Sequence, residues 1–195
     1  MHALTQFLNI MVGLTETEAS DFDSLLLPKS VKKGDILFPE NTICEYAAFV
    51  AKGLFAASYC DDGEHIAVHF YQQNSFAIDY PSFLLQKPTD FEVVALEDSE
   101  LVLLSFDDLQ DLYSSKNYKW NMLGRLIAEK TVIHFINRQK NSLLKTPEER
   151  YDNFLTAYPD LQQRITQYQL ASYLGIRPES LSRIKKRKIE NERNS

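Results

Sequence analysis

The chain has 195 residues, of which 44% are apolar, and this is enough to bury the core of one large domain or two small ones. No run of eighteen apolar residues occurs, and the N-terminus lacks the charged lead and cleavage pattern of a signal peptide, so we expect a cytoplasmic protein without a membrane span. Residues 143–195 hold ten basic and seven acidic residues, whereas residues 1–142 hold eleven and twenty. The chain therefore has an acidic N-terminal part and a basic C-terminal part.

The N-terminal part is predicted to be one helix followed by a series of short strands. Thr15 and Glu18 fit a capping box at the start of an amphipathic helix over residues 15–27. Residues 31–104 then consist of short apolar or alternating runs separated by turn signals, which indicates a β-sandwich or barrel. The candidate strands are residues 36–38, 47–51, 54–60, 66–71, 91–95 and 101–105.

Histidine and cysteine are sparse in this region. His65 and His69 lie in a predicted strand, where they would point the same way about 13 Å apart, too far for one metal ion to bridge. If this stretch were a helix, the pair could chelate. Cys44 and Cys60 have no export signal to favour a disulfide, so we expect both to be buried as small apolar residues. We predict no metal and no cofactor.

A short and then a long helix follow, over residues 107–113 and 118–144. Apolar residues recur on the long helix in alternating steps of four and three, a heptad-like seam typical of helices that pair between subunits. The helix could also simply pack on the strands, and apolar residues such as Trp120 and Leu123 lie off the seam and suit that role. The predicted dimer interface consists of Met122, Leu126, Glu129, Ile133 and Ile136.

The last part of the chain has the pattern of a helix-turn-helix. A capped helix start at Thr146 predicts a hinge after the long helix. Thr166 and Gln169 fit a further capping box, and Gly175 fits the end of the helix that this box begins. Pro178 then fits the first turn of the final helix.

Charge distinguishes this helix pair from an ordinary helical hairpin. Residues 177–188 carry six basic residues and one acidic residue, a local charge of +5. Such a patch gives sequence-independent affinity for the phosphates of DNA, while side chains near the helix start can reach base edges. The predicted DNA-contacting residues are Thr166, Gln167, Tyr168, Pro178, Glu179, Ser180, Ser182, Arg183, Lys186 and Arg187.

These residues resemble the DNA-reading unit of the Crp/Fnr transcription regulators, in which a glutamate and an arginine four residues later contact bases. Glu179 and Arg183 match those positions, and their side chains suit cytosine and guanine. Pro178 stands where many members have another arginine, so the usual half-site is not assumed. The turns ahead of the long helix are similar to those of the cyclic nucleotide-binding β-roll, with Asn41 and Asn74 where glycine is common.

The resemblance implies an α+β fold in three parts. We expect an N-terminal β-roll, a double-stranded β-helix similar to a jelly roll, with flanking helices, as a sensor domain over residues 1–116. A long dimerisation helix and hinge would cover residues 117–145. An all-α helix-turn-helix domain that lacks a full wing would cover residues 146–195, with residues 189–195 frayed.

The ligand pocket departs from the family pattern. Members that bind cyclic AMP use a Gly-Glu pair for the ribose and an arginine followed by a small hydroxyl residue for the phosphate. The matching positions here are Asn74-Ser75 and Thr89-Asp90, and no arginine precedes Arg125. We therefore expect no cyclic AMP binding in the usual mode. The candidate effector residues are Ser75, Asp79, Ser82, Thr89, Asp90 and Arg125.

Two features of this pocket prediction stay open. Residues 76–85 could be only a helix or turn that packs on the roll. In the family the long helix also contacts the effector, and Arg125 and Arg138 are the arginines that it offers here.

The sequence thus predicts a homodimeric transcription regulator that binds a palindromic site on double-stranded DNA and senses an unknown small molecule. One alternative is an effector-independent regulator whose roll contacts another protein, and another is a regulator that responds to cyclic AMP through atypical phosphate recognition. RNA polymerase is a further candidate partner. No nucleophile elbow, P-loop or dinucleotide fingerprint occurs, so we do not expect an enzyme.

Overall fold

A computed structural model describes residues 1–193. The first half of the chain is rich in strands, and the second half is helical. The strands are β1 (Leu27–Val31), β2 (Ile36–Phe38), β3 (Tyr46–Lys52), β4 (Leu54–Asp61), β5 (Glu64–Gln72), β6 (Phe76–Ala77), β7 (Glu92–Ala95) and β8 (Ser99–Ser105). The helices are α1 (Ala3–Val12), α2 (Glu16–Leu25), α3 (Tyr80–Leu85), α4 (Phe106–Ser114), α5 (Tyr118–Leu144), α6 (Pro147–Ala157), α7 (Gln167–Tyr173) and α8 (Pro178–Arg193), with a 3-10 turn at Leu161–Gln163. Within this range no helix combines the length and apolarity that crossing a bilayer requires.

The strands form two antiparallel four-stranded sheets in the orders β1-β8-β3-β6 and β2-β7-β4-β5. Side chains of both sheets meet in a shared interior that includes Phe55 and Leu101. The outer face of the first sheet is covered by α1, α2 and α5, where Phe49 belongs to the same cluster as Trp120. Because β3 is covered on both faces, its residues 47–50 are all buried. The predicted α+β fold with a β-roll is confirmed.

The predicted N-terminal helix is confirmed as α2, whereas α1 was not predicted. The Glu18 N–H donates to the Thr15 hydroxyl at 3.2 Å, and the Glu18 carboxylate accepts from the Thr15 N–H at 2.7 Å, which completes the capping box. Leu27 instead begins the edge strand β1, where Pro28 is tolerated. The start of α1 at His2 has no side-chain cap, so the sequence offered no start signal for it.

A β-bulge in β5 overturns the expectation that His65 and His69 point the same way. Ala57 pairs with His69 but the next residue of β4 pairs with Ala67, so Val68 is an extra residue that resets the alternation. The exposed imidazole of His65 lies 3.0 Å from a carboxylate oxygen of Glu92. The ring of His69 is instead half-buried at the boundary with α5.

The two asparagines at predicted turns adopt the left-handed conformation. The φ angle is 62° at Asn41 and 64° at Asn74. Backbone hydrogen bonds fix both turns, from the Asn41 N–H to the Thr89 carbonyl at 2.8 Å and from the Asn74 N–H to the Val50 carbonyl at 2.9 Å. Asparagine tolerates this conformation better than most residues, so the turns form without glycine.

The two cysteines differ in environment. Cys44 is buried, whereas Cys60 is exposed, so the expectation of burial was wrong for Cys60. Cys60 lies near the tip of the β4–β5 hairpin, where its neighbour Tyr59 and the facing Ile66 are also exposed. The helices that cover the sheet do not bury this end of the hairpin.

Helix α5 has 27 residues and divides into a buried and an exposed half. Its first turns pack on the roll through Trp120 and Leu123, which are 7% and 3% exposed. Farther along, Ile133 and Ile136 are 59% and 46% exposed. The first half anchors the helix on the roll, and the second half leaves apolar surface open.

The C-terminal helices pack on the outer face of the second sheet. Phe70 of the roll shares a buried cluster with Leu170 and Ile184, and the Arg164 guanidinium lies 2.7 Å from a Glu97 carboxylate oxygen. Helix α8 continues through Arg193, so the predicted fraying from residue 189 is wrong over the described residues. Residues 194 and 195 lie outside that range, and no strand follows α8 within it.

Candidate functional site

Helices α7 and α8 form the helix-turn-helix that the sequence predicts. The Thr166 hydroxyl accepts from the Gln169 N–H at 3.1 Å in a complete capping box. Gly175 ends α7 with φ of 64°, which favours glycine. Leu181 and Ile184 of α8 are 0% and 4% exposed and anchor it on α7. The opposite side of α8 therefore faces solvent.

The predicted DNA-contacting residues lie at the surface of this unit. Pro178 and Ser180 are half-buried, and the others are exposed: Thr166, Gln167, Tyr168, Glu179, Ser182, Arg183, Lys186 and Arg187. Glu179, Arg183 and Lys186 follow one another by four and three residues, so they share one face of α8.

The basic side chains of α8 differ in how firmly they are held. A guanidinium nitrogen of Arg187 lies 2.9 Å from a carboxylate oxygen of Glu148, and the Lys188 ammonium lies 2.5 Å from Asp152, so both tie α8 to α6. Among the residues that the structure describes, Arg183 makes only a local hydrogen bond to the Ser180 hydroxyl at 3.2 Å. The side chain of Arg183 can leave this bond at small cost and reach a ligand.

The β4–β5 hairpin contacts the start of α7. The Tyr168 hydroxyl donates to a carboxylate oxygen of Glu64 at 3.2 Å, and the Ala67 N–H donates to the Ser172 hydroxyl at 3.1 Å. One predicted DNA-contacting residue is thus engaged with an acidic residue of the roll. No local sequence signal predicts this contact, because it joins residues more than a hundred positions apart.

A cavity of about 1030 Å³ lies between the roll and α5. Four of the six predicted effector residues line it, namely Ser75, Asp79, Ser82 and Asp90. Several of them also have structural roles: Asp79 caps α3 by accepting from the Ser82 N–H at 3.2 Å. Both interpretations of residues 76–85 therefore apply, since α3 packs on the roll through the buried Phe83 and also lines the cavity.

The remaining two predicted effector residues do not line the cavity. Thr89 is buried, and its hydroxyl donates to the Phe91 carbonyl at 3.1 Å. Arg125 is exposed and pairs with Glu129 at 2.8 Å. Arg138, the other arginine of α5 considered from the sequence, does line the cavity. Thirteen helical residues correspond to about 220° of net rotation, which puts the two arginines on different sides of α5.

Two histidines that the sequence analysis did not assign to the pocket also line it. The ring centroids of His69 on β5 and His134 on α5 lie 5.2 Å apart in an edge-to-face arrangement. Burial, with smaller contributions from His134 and Arg138, lowers the pKa of His69 to about 3. Burial and Arg138 also lower the pKa of His134. Both rings are therefore neutral at pH 7. The spacing of His134 and Arg138, four residues apart on one helix, was the available sequence signal.

Comparisons with known proteins match this arrangement. Residues 28–116 match the family model of the cyclic nucleotide-binding domain. No curated protein matches the chain significantly. The solved structure of FixK2 from Bradyrhizobium japonicum gives a TM-score of 0.72 at 17% identity, with 86% of each chain covered. A transcriptional regulator of the Crp/Fnr family from Eubacterium rectale gives 0.70 at 17% identity, over 95% of this chain and 88% of its own.

The chain has the fold of the Crp/Fnr regulators. The catabolite activator protein of Thermus thermophilus is also similar, with a TM-score of 0.55 at 20% identity over 95% of this chain and 88% of its own. These matches extend well beyond residues 28–116, so the Crp/Fnr fold includes the C-terminal helices as well as the roll.

Proposed function

We propose that this protein is a homodimeric, DNA-binding transcription regulator of the Crp/Fnr type. The observation that carries the proposal is the geometry of α8: Leu181 and Ile184 anchor one side, while Glu179 and Arg183 are exposed on the other. A helix held in this way can enter the major groove, where a carboxylate and a guanidinium distinguish bases. The Crp/Fnr fold, which the Eubacterium rectale regulator shares, supports this role.

Dimerisation would use the exposed half of α5. Val132, Ile133, Phe135 and Ile136 are each between 46% and 59% exposed, on a helix that is otherwise anchored by the roll. A run of large apolar side chains in water favours a partner surface, and a second copy of the same helix is suited to a heptad-like seam. Two copies would also present two recognition helices to successive turns of a palindromic site.

In this proposal the chain divides into three functional parts. Residues 1–116 sense a small molecule, residues 117–145 pair two subunits, and residues 146–195 bind DNA. The cavity beside α5 is the proposed sensor site, and a ligand there can change DNA binding only if it favours one dimer geometry over another. RNA polymerase would be a partner of the DNA-bound form. The function is regulatory rather than enzymatic.

The direct test is binding of the purified protein to a mixed-sequence DNA duplex at several salt concentrations. Contacts from the basic residues of α8 to phosphates predict an affinity that falls steeply with salt, with a logarithmic slope of about −3 or steeper for a dimer. Arg183→Ala is compared with the wild type when specific DNA sites are selected from a library of duplexes. A wild-type protein that fails to bind DNA even at low salt would contradict the proposal.

A further inference from the structure

Three nitrogen-bearing side chains converge where the cavity meets the C-terminal half of α5. They are His69 from β5 and His134 and Arg138 from α5. Nδ1 of His69 and Nε2 of His134 are buried and have no hydrogen-bond partner among the described residues. Buried polar atoms without partners are uncommon in folded proteins, and the two residues that carry them both line the cavity.

Arg138 adds an uncompensated positive charge to this cluster. Among the described residues it forms no ion pair, and its recorded contact is a cation–π interaction with Tyr173. The acidic residues on the cavity wall are Asp79, which caps α3, and Asp90. Burial is the main factor that raises the pKa of Tyr59. Asp90 and Asp79 raise this pKa further, and Arg138 lowers it, so acidic and basic side chains share one cavity. The cluster around Arg138 is suited to a single negative charge rather than to several.

Lys130 and Thr131 of α5 also line the cavity, but much of the wall near this cluster is apolar or aromatic. It includes Tyr59, Val68, Tyr71, Phe91 and Phe135. The Tyr71 hydroxyl already donates to the Ile78 carbonyl at 2.8 Å, so its ring, rather than its polar end, is available to a ligand. A ligand with an apolar or aromatic body would be desolvated here at little cost, whereas a sugar with several hydroxyls would lose hydrogen bonds to water.

We propose that this cavity binds a compact organic carboxylate with an apolar body, and that Arg138 binds its acid group with His134 and His69 as neutral hydrogen-bonding partners. The guanidinium matches the two carboxylate oxygens. The inference of a binding site depends on the cavity alone. The role of the carboxylate as an effector rests on the proposed regulatory function.

The position of Arg138 also connects the ligand to the DNA-binding unit. Its guanidinium carbon lies 4.8 Å from the ring centroid of Tyr173 on α7. Arg138 and His134 line a second, smaller cavity of about 370 Å³ between α5, α6 and α7 as well. An acid group bound to Arg138 therefore alters the charge beside α7, and this coupling gives the carboxylate a route to the recognition helix.

The test is calorimetric titration of the full chain with phenylacetate, 4-phenylbutyrate and decanoate, each beside its neutral amide, and with cyclic AMP. We expect at least one carboxylate to bind while its amide does not. Arg138→Gln should weaken carboxylate binding roughly tenfold to a hundredfold, because a charge-assisted bidentate pair is lost. Arg125→Gln, on the same helix but outside the cavity, is the matched control and should bind as the wild type does.

Three results would overturn the proposal: an amide that binds as well as its acid, carboxylate binding that survives Arg138→Gln unchanged, or no carboxylate binding at millimolar concentration. Tighter binding of cyclic AMP than of every carboxylate would also contradict it. Arg138→Lys, which keeps the charge but not the planar fork, provides a second variant if Arg138→Gln unfolds. DNA binding by the same preparations is measured separately, so a regulator without this ligand and a carboxylate-binding protein without DNA affinity give different results.

Discussion

The guanidinium of Arg138 on α5 lies over the ring of Tyr173 on α7, with 4.8 Å between its central carbon and the ring centroid. This contact joins the long helix to the helix-turn-helix across the interface that Phe70 and Phe154 also occupy, with ring centroids 5.2 Å and 5.7 Å from that of Tyr173. The proposed sensor cavity and the proposed DNA-binding unit thus meet at this pair of side chains and at Phe70, which also lines the cavity.

A double-mutant cycle with Arg138→Ala and Tyr173→Leu should give a coupling free energy of about 0.5–2 kcal/mol in the free energy of unfolding, the range of partly desolvated cation–π pairs. Tyr173→Leu alone will also lose packing against its aromatic neighbours, and the cycle subtracts that loss. Denaturant unfolding monitored by circular dichroism measures all four proteins. Strict additivity of the two single changes would mean that the contact contributes nothing.

Stability should fall as the pH falls from about 7 towards 4, because the half-buried ring of His69 stays neutral in the folded protein. Its pKa is lowered from the ordinary 6.5 to about 3 in the folded protein. Between these two pH values the unfolded chain binds a proton at His69 and the folded chain does not. The stabilisation is therefore complete above pH 6.5 and is lost progressively below it, on the order of a few kcal/mol in total. His134 and Arg138 face the same ring and oppose its protonation.

Unfolding by urea at a series of pH values measures this effect. His69→Gln should flatten the slope between pH 6.5 and 4.5 relative to the wild type. Ile66→Gln is the matched control, because Ile66 lies on the same strand, is exposed and does not titrate, and should leave the slope in place. A wild-type slope that persists in His69→Gln would assign the effect to other groups.

Ile133→Glu should dissociate the proposed dimer. Ile133 is 59% exposed on α5, so a glutamate costs little in the monomer, but two charges would be buried together across a symmetric seam. We expect the dimer to weaken by at least about 2 kcal/mol, which sedimentation equilibrium resolves. Ile10→Glu, at a position 87% exposed on α1, is the control and should sediment as the wild type. If both variants remain dimeric, the seam is not the interface.

Local signals in the sequence predicted the fold well. Thr15, Thr146 and Thr166 each begin a helix with a complete capping box, because the residues that make it lie three positions apart. The bulge at Val68 depends on how β5 pairs with β4, and this pairing cannot be predicted from the local sequence of either strand. The edge strand β1 was missed for a similar reason: its proline and lysine are tolerated only because one edge stays unpaired.

The candidate sensor site was harder to predict than the helix-turn-helix. His69 and His134 come from different elements, and their proximity follows from the packing of α5 on the roll. The choice between Arg125 and Arg138 depends on which side of α5 faces the roll, which Trp120 and Leu123 determine. The DNA-contacting candidates on α8 needed no such information, since the buried anchors and the exposed residues alternate within that helix.

Arg183→Ala should weaken binding to a specific site by about 1–3 kcal/mol and relax the preference at one base position in each half-site. The reason is that Arg183 is exposed on the proposed reading face and forms a single hydrogen bond within residues 1–193, to the Ser180 hydroxyl. Lys186→Ala is the comparison, since a lysine that contacts phosphate should weaken binding to all sequences equally and reduce the salt slope of the dimer by about 2, one for each subunit. Fluorescence anisotropy with a specific and a scrambled duplex distinguishes the two patterns. An equal loss on both duplexes for Arg183→Ala would mean that it contacts phosphate.

The measurement that tests the central claim most directly is selection of bound sequences from a random duplex library by the purified wild-type protein. A dimer with two recognition helices should enrich a palindromic site whose half-sites are centred about one helical turn, roughly 34–36 Å, apart. Recovery of such a site, with relaxed selection at one position for Arg183→Ala, is the result that the proposed function predicts. Failure to enrich any sequence from the library would contradict it.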